Sequence, residues 1–338
     1  MSRAAQLALG LVVSAACLWL AMHDVRPAEV LQALRRANYV GFAAVVVLTL
    51  TGFWLRAIRW RWLFSGERPI PHGPLFRATM IGFMANNLLP LRLGEFIRAW
   101  ALGRREGLSK TTVFATVVVE RVVDLIALIV VLGLGMWVHP LAEGSDAAHL
   151  VRRGATVLIA AGVSLTVGVI VLERRPDLAH GLIRWFTRWL PEGARERVAA
   201  MLDNFVEGLA LFRNLPRLTW VFLLSFVMFG VVALGLTVSL WSFGIETPWY
   251  AGMVMLVITA IGIMVPAAPG YIGTMNIACK VGLRLFGVGP ELSVPFSWFY
   301  WAGQWLPVTL VGLYCLRLEG LSLASIGRAQ DETITSNP

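Results

Sequence analysis

The feature that most constrains this chain is a succession of uncharged apolar runs, each about as long as a membrane is thick. Residues Ala4–Met22, Ala37–Leu55, Gly154–Leu172 and Leu218–Ile245 contain no Asp, Glu, Lys or Arg, Leu292–Leu316 closes the series, and Val113–Val138 is interrupted only by Glu120, Arg121 and Asp124. A helix of roughly 20 apolar residues crosses a hydrocarbon core of ~30 Å. Two further runs stop part-way: Ala78–Leu91 breaks at Pro90, and Thr247–Cys279 breaks across Pro266-Ala267-Ala268-Pro269-Gly270. Proline removes a backbone donor and clashes with the preceding turn, so each point breaks a helix. Broken backbone at membrane depth is tolerated where it is buried in protein or lines a cavity. The breaks therefore read either as kinks in ordinary spans or as re-entrant hairpins. The expected fold is an all-α polytopic integral membrane protein, with about six full transmembrane helices plus two opposed re-entrant helical hairpins in an inverted-repeat arrangement. Eight full spans are the alternative.

Composition agrees with this class: 57% of the 338 residues are hydrophobic and 14% charged, against about 25% charged in soluble domains. That excludes a soluble enzyme, a disordered chain and a disulfide scaffold. The net charge of +9 comes from Lys+Arg 29 over Asp+Glu 20; in a membrane protein such an excess reflects cytoplasmic loops and anionic headgroups, and no nucleic-acid partner is expected. With both breaks drawn as hairpins, the segments on one side (Arg3, Arg56–Arg77, Arg104–Lys110, Arg174–Arg217, Arg317 and Arg328) hold 19 basic residues and those on the other (Arg26, Arg35, Arg36, Arg152, Arg153) hold 5. The bias predicts both termini in the cytoplasm of a plasma (inner) membrane protein, with the hairpins facing opposite ways as in inverted-repeat transporters. Arg3 before an apolar core resembles a signal peptide, but no small-residue cleavage site followed by polar sequence appears, so the first run reads as an uncleaved span. Cys17, Cys279 and Cys315 lie in apolar stretches without metal spacing and read as small buried hydrophobes.

Residues 1–326 form one transmembrane domain on this reading, with a polar tail at 327–338. Within it, the cytoplasmic segment 174–217 carries two amphipathic stripes: Leu178, Leu182, Trp185, Phe186 and Trp189, then Val198, Met201, Leu202, Phe205, Leu209 and Phe212. They suit helices in the headgroup layer or a helical pair packed on the ends of the spans.

Ionisable residues within spans are functional candidates because lipid burial is costly. For a helix starting near Thr112, Glu120 lies about 12 Å in and Asp124 about 18 Å in. The two share a face with Thr116, and Arg121 can pair with Asp124 three residues on. The group reads as a structural ion pair, or as the polar lining of a headgroup path or proton relay. The first break sets Asn86, Asn87, Pro90, Arg92, Glu95 and Arg98 around one point. A guanidinium fork and a half-helix N-terminus both favour an anion there, and Glu95 and Arg98 can also neutralise each other. The second break offers Pro266, Pro269, Gly270, Gly273 and Asn276, with glycines that allow close backbone approach and an α-helix start that presents amide donors.

Three stretches make the chain resemble the flippase-like family named for the transmembrane region of lysylphosphatidylglycerol synthase. They are Leu55-Arg56-Ala57-Ile58-Arg59-Trp60-Arg61-Trp62; Asn86 to Arg98 continuing to Glu120-Arg121-Val122-Val123-Asp124; and Pro266 to Gly273. The resemblance spans nearly the whole chain. The family's second break usually ends in an acidic residue, where Asn276 stands here. The expected reading is a stand-alone member without the soluble synthase domain, for which the resemblance implies lipid translocation or lipid-pathway support without aminoacyl transfer, in phospholipid, polyprenyl-glycan or hopanoid metabolism. The expected partners are membrane lipids, an anionic phospholipid or lipid-linked phosphate, and pathway enzymes.

Three functions compete. The first is a transporter or flippase for an anionic lipid or lipid-linked substrate. The second is a non-catalytic scaffold recruiting pathway enzymes through 174–217. The third is an integral-membrane transferase. Against the last, the aspartates are scattered, no His-acid acyltransferase pair occurs, and there is neither a phosphate-cradling Gly-rich loop with Lys nor a zinc-binding His pair. No cofactor or metal is expected.

Overall fold

A computed structural model describes residues 3–64, 70–89, 93–138, 146–175, 181, 189, 192–208, 214–265 and 268–323. Among them the regular structure is all helix. Six helices are long: α1 (Arg3–Met22), α3 (Tyr39–Arg61), α6 (Lys110–Val138), α7 (Asp146–Arg174), α9 (Leu215–Ser242) and α12 (Pro290–Leu318). Six are shorter: α2 (Pro27–Arg36), α4 (His72–Leu88), α5 (Gly94–Glu106), α8 (Glu192–Gly208), α10 (Ala251–Met264) and α11 (Thr274–Arg284).

Tyr39–Arg61, Arg152–Leu172 and Leu215–Ser242 are each long and apolar enough to cross a membrane. Their outward faces carry Val40, Val47 and Trp54 on α3, Val157, Val163 and Val167 on α7, and Leu223, Val227 and Leu234 on α9, all exposed. Apolar surface on this scale suits lipid rather than water. Exposed aromatics stand at both ends of two of these helices: Tyr39 and Trp62 flank α3, and Trp220 and Trp241 sit near the ends of α9. At 1.5 Å per residue the pairs are about 35 and 32 Å apart, the spacing of two interfacial belts around a ~30 Å core. The chain is thus an all-α polytopic membrane protein.

The core is an antiparallel pair, α3 against α9. The Asn38 amide donates to the Ser242 carbonyl at 2.9 Å at one end, and Arg217 Nη1 reaches the Phe64 carbonyl at 3.5 Å at the other. The order long helix, broken pair, long helix then occurs twice, as α3–α4/α5–α6 and α9–α10/α11–α12, and the antiparallel α3/α9 pair makes the two copies run in opposite directions. Each broken pair folds back on itself. A Cβ on Gly82 would lie 2.7 Å from Arg98 Cβ, and one on Gly262 would lie 2.5 Å from Ala278 Cβ, so glycine lets the arms of each hairpin touch. With 17, 13, 14 and 11 residues, the arms reach only about 26, 20, 21 and 17 Å, short of the ~30 Å core. The two arms of each pair pack against each other, as in a hairpin.

The first break is stitched by Asn86, whose Oδ1 accepts from the Gly94 amide at 2.8 Å. In the second, one 3₁₀ turn (Pro269–Tyr271) holds Gly270 at φ 77° and Tyr271 at φ 59°, and Gly273 at φ 87° opens α11. A non-glycine residue at positive φ is uncommon and concentrates at sites the surroundings over-determine. Helix α12 receives both tips. Asn87 Nδ2 donates to Thr309 Oγ1 at 3.0 Å, and Trp301 Nε1 donates to the Gly270 carbonyl at 2.7 Å. Pro307 lies inside α12 and cannot donate to the carbonyl four residues back, which belongs to Gly303; Thr49 Oγ1 of α3 donates to that carbonyl at 3.3 Å.

Two expectations are refined. The second span runs from Tyr39 to Arg61 rather than Ala37 to Leu55, because the helix continues through Arg56 and Arg59. Of the two amphipathic stripes, α8 packs against α6 and Phe205 joins the core beside it, which favours packing on the helix ends for the second stripe. Most of the first stripe, and the tail from 327, lie outside the described residues.

Candidate functional site

The tips of the two hairpins meet. A Cβ on Gly270 would stand 3.5 Å from the Asn87 carbonyl and 2.8 Å from Trp305 Nε1. Beside this junction is a chamber of about 230 Å³ between α3, α4, α9, α10 and α12. Its walls are mostly apolar and aromatic (Phe53, Phe83, Phe229, Trp301, Trp305), with Asn87, Thr259 and Gln304 as polar points and Arg56 as a cation. The space exists partly because α3 and α9 present glycines to it. A Cβ on Gly52 or Gly235 would meet nothing nearer than 3.9 and 4.0 Å, respectively.

Next to the chamber is a buried ionic cluster built from α3, α5 and α6. On α6, Glu120 and Asp124 lie one turn apart and so face the same way. Opposite them, Arg56 and Arg59 are three apart on α3. Arg56 Nη1 donates to Glu120 Oε1 at 2.9 Å and to Asp124 Oδ2 at 3.2 Å. Arg59 pairs with Asp124 and donates to Ser225 Oγ of α9 at 2.7 Å. From α5, Arg98 grips Glu120 with both terminal nitrogens, one at 3.2 Å and the other closer. Its guanidinium stacks 3.8 Å over the Trp60 ring, and Trp60 Nε1 donates to Thr116 Oγ1 at 2.9 Å. Arg121 bonds Glu120, lies 3.4 Å from Asp124, and stands 3.9 Å from Glu95. Arg59, Arg98 and Glu120 are fully buried. Buried ions persist when paired and hydrogen-bonded; every charge of this network has an opposite charge beside it, while Arg59 Nε and Nη2, Arg98 Nε and Arg121 Nε make no hydrogen bond among the described residues.

The residues singled out in sequence fall in three places. Glu95, Arg98, Glu120, Arg121 and Asp124 come together in the ionic cluster. The expected Glu95–Arg98 neutralisation is only a 3.9 Å approach, because Glu120 takes Arg98. Asn87 and Gly270 line the chamber. Asn86, Pro269, Gly273 and Asn276 stand at the breaks themselves. Asn276 Oδ1 accepts from the Gly273 amide at 3.0 Å and its Nδ2 donates to Ser297 at 2.8 Å. Gly273 is pressed on α1, where a Cβ would come within 2.4 Å of the Ser14 carbonyl. Pro90, Arg92 and Pro266 lie outside the described residues. Sequence reasoning missed Arg56 and Arg59, which it counted as cytoplasmic loop charge. Their i,i+3 spacing, in phase with the carboxylates of another span, is the signal that could have found them. Taking them off leaves 17 basic residues against 5, and the bias keeps its direction.

A long-helix, hairpin, long-helix unit used twice in opposite directions defines a multi-pass membrane protein built as an inverted repeat. The chain belongs to the family described as the lysylphosphatidylglycerol synthase TM region, which it matches over residues 7–312. It is 28% identical over 83% of its length to "Glycosyltransferase AglD" of Haloferax volcanii, of which it covers 49%. The chain thus spans about half of that relative. It is 26% identical over 80% of its length to a protein named "UPF0104 membrane protein" of Methanothermobacter thermautotrophicus, covering 82% of it. A UPF0104 membrane protein of Pyrococcus horikoshii is 22% identical over 80% of the chain. No solved structure matches the chain.

Proposed function

We propose that this protein moves an anionic lipid or lipid-linked substrate across a plasma membrane in which both of its termini are cytoplasmic. The observation that carries the reading is the chamber where two oppositely directed hairpins meet, lined by apolar and aromatic groups and bordered by one cation. Substrate sites at the interface of inverted repeats, beside discontinuous helices, are how such folds give access from either side. The apolar walls suit the part of a lipid near its chains, and the arginine suits a phosphate. Membership of a family named for a lipid synthase, and a relative named as a glycosyltransferase, favour a lipid or lipid-linked glycan pathway.

The test is reconstitution of the purified chain in liposomes that carry a fluorescent anionic phospholipid in both leaflets, followed by an impermeant quencher. Quenching of clearly more than the outer-leaflet half, without other proteins, is expected. Quenching equal to protein-free liposomes for anionic lipids refutes the reading. It would favour a non-transporting support for membrane glycan or lipid enzymes, the second reading that the glycosyltransferase relative suggests.

A further inference from the structure

We propose that the Arg56 guanidinium is the phosphate-binding group of the chamber, and that it takes the phosphodiester monoanion of a lipid whose neighbouring carbons lie against the apolar walls. This rests on the transport reading above and names the atom group that recognises the substrate.

Four observations converge on it. First, the cluster does not balance. Among the described residues Arg56, Arg59, Arg98 and Arg121 face Glu95, Glu120 and Asp124, which leaves one positive charge in excess. An uncompensated charge in a low-dielectric interior is costly, and a singly charged anion removes the imbalance. Second, Arg56 is the one member of the cluster that lines the chamber, and no Asp or Glu stands among the lining residues. An anion entering there meets a cation and no carboxylate. Third, Glu120 and Asp124 both hold Arg56 through Nη1. Its Nε and Nη2 make no hydrogen bond to another described residue, and its side chain retains 14% exposure. The carboxylates thus fix the fork while donors remain for a ligand, and planar guanidinium matches phosphate oxygens. Fourth, the absent side chains of Gly52 and Gly235 keep the space beside it open.

The experiment uses the purified full chain in detergent and three probes: dihexanoyl-phosphatidylglycerol, the uncharged dihexanoylglycerol, and inorganic phosphate. Binding is measured for the wild type, Arg56→Gln, Arg56→Lys and Gly52→Leu, with a thermal melt on each. Arg56→Gln leaves Glu120 with Arg98 and Arg121 and Asp124 with Arg59. Gly52→Leu narrows the chamber from the α3 side, where a Cβ meets only Val232 at 3.9 Å and Arg56 lies one turn further along the same face.

The short-chain phospholipid is expected to bind the wild type in preference to both other probes. Arg56→Gln should weaken it by about tenfold to a hundredfold, the worth of hydrogen bonds to a charged group. Arg56→Lys should weaken it less than Arg56→Gln does, and Gly52→Leu should abolish it with the melt unchanged or raised. Wild-type affinity in a folded Arg56→Gln or in Gly52→Leu overturns the proposal. So does inorganic phosphate that binds as tightly as the phospholipid, which would make this a free-phosphate site. If lipid still moves while binding ignores Arg56, the site falls and transport stands. If binding depends on Arg56 but no lipid moves, transport falls and the site stands.

Discussion

Replacing Glu120 by glutamine is expected to destabilise the protein by about 3–5 kcal/mol, the cost of breaking a buried ion pair. The structure gives the same scale by a separate route. The Arg98–Glu120 pair is two-pronged with both side chains fully buried, and unit charges about 4 Å apart attract by ~4 kcal/mol at an effective dielectric of 20. Glutamine keeps the shape but withdraws the negative charge from a carboxylate that also bonds Arg56 and Arg121 and lies 3.3 Å from Arg59. Its amide would point donors at donors. Arg98→Gln should be similarly damaging, since it strips Glu120 of its closest partner. The double substitution removes both charges and should recover a large part of the loss. The assay is a double-mutant cycle on reversible denaturation in a fixed detergent, with Arg105→Gln/Glu319→Gln as the comparison. Arg105 Nη1 meets Glu319 at 3.0 Å from a side chain that is 46% exposed, while Glu319 is also held by Arg77; the cycle isolates the Arg105 coupling, which an arginine so exposed should hold to ~0–1 kcal/mol. Strictly additive losses at Glu120 and Arg98, or a loss below about 1 kcal/mol in Glu120→Gln, would refute the reading of Arg98–Glu120 as a buried ion pair that joins α5 to α6.

Other expectations come from the hairpins, the outer loop and the ends. Gly82→Ala and Gly262→Ala should each lower stability by ~1–3 kcal/mol, the range for forcing atoms into a packed contact, because each Cβ would stand under 3 Å from the facing arm; a melt unchanged in both removes the close approach. Asp24, in the loop between α1 and α2, accepts from Lys280 Nζ at 2.8 Å, and that hydrogen bond holds its carboxyl below the ordinary range. A lowered folded-state pKa stabilises above the unfolded value and loses its effect as pH falls. The melting difference between wild type and Asp24→Asn should therefore persist down to about pH 5 and close below about pH 4; a difference that grows between about pH 4 and 3 contradicts it. For orientation, Glu246→Cys is expected to react with an impermeant thiol reagent on intact cells, and Arg104→Cys only after permeabilisation. The reverse pattern inverts the topology.

The two breaks were legible locally. Pro269 with Gly270, and the end of the α4 run at Leu89, are properties of a few residues and need no knowledge of the rest of the chain. That the broken segments double back rather than kink was less legible, because it depends on arm length and on Gly82 and Gly262 meeting a neighbour. Helix α2 went unforeseen since its ten residues lie between two apolar runs, and its place is fixed by Val30 packing near the start of α12.

The sequence alone determined the class of protein. Runs of about 20 uncharged residues satisfy their backbone internally as helices, and this depends only on local composition and length. It also marked Glu120, Arg121 and Asp124, because a charge inside such a run is conspicuous without any partner in view. What it could not determine is who faces them. Arg56 and Arg59 sit at the end of an apolar run, where basic residues usually meet the cytoplasm, and only the rotation of α3 against α6 and α9 turns them inward. The chamber is likewise a product of packing. Gly52, Gly235, Asn87 and Gly270 lie far apart in sequence, and their joint vacancy exists only once α3, α9 and the two hairpin tips are brought together.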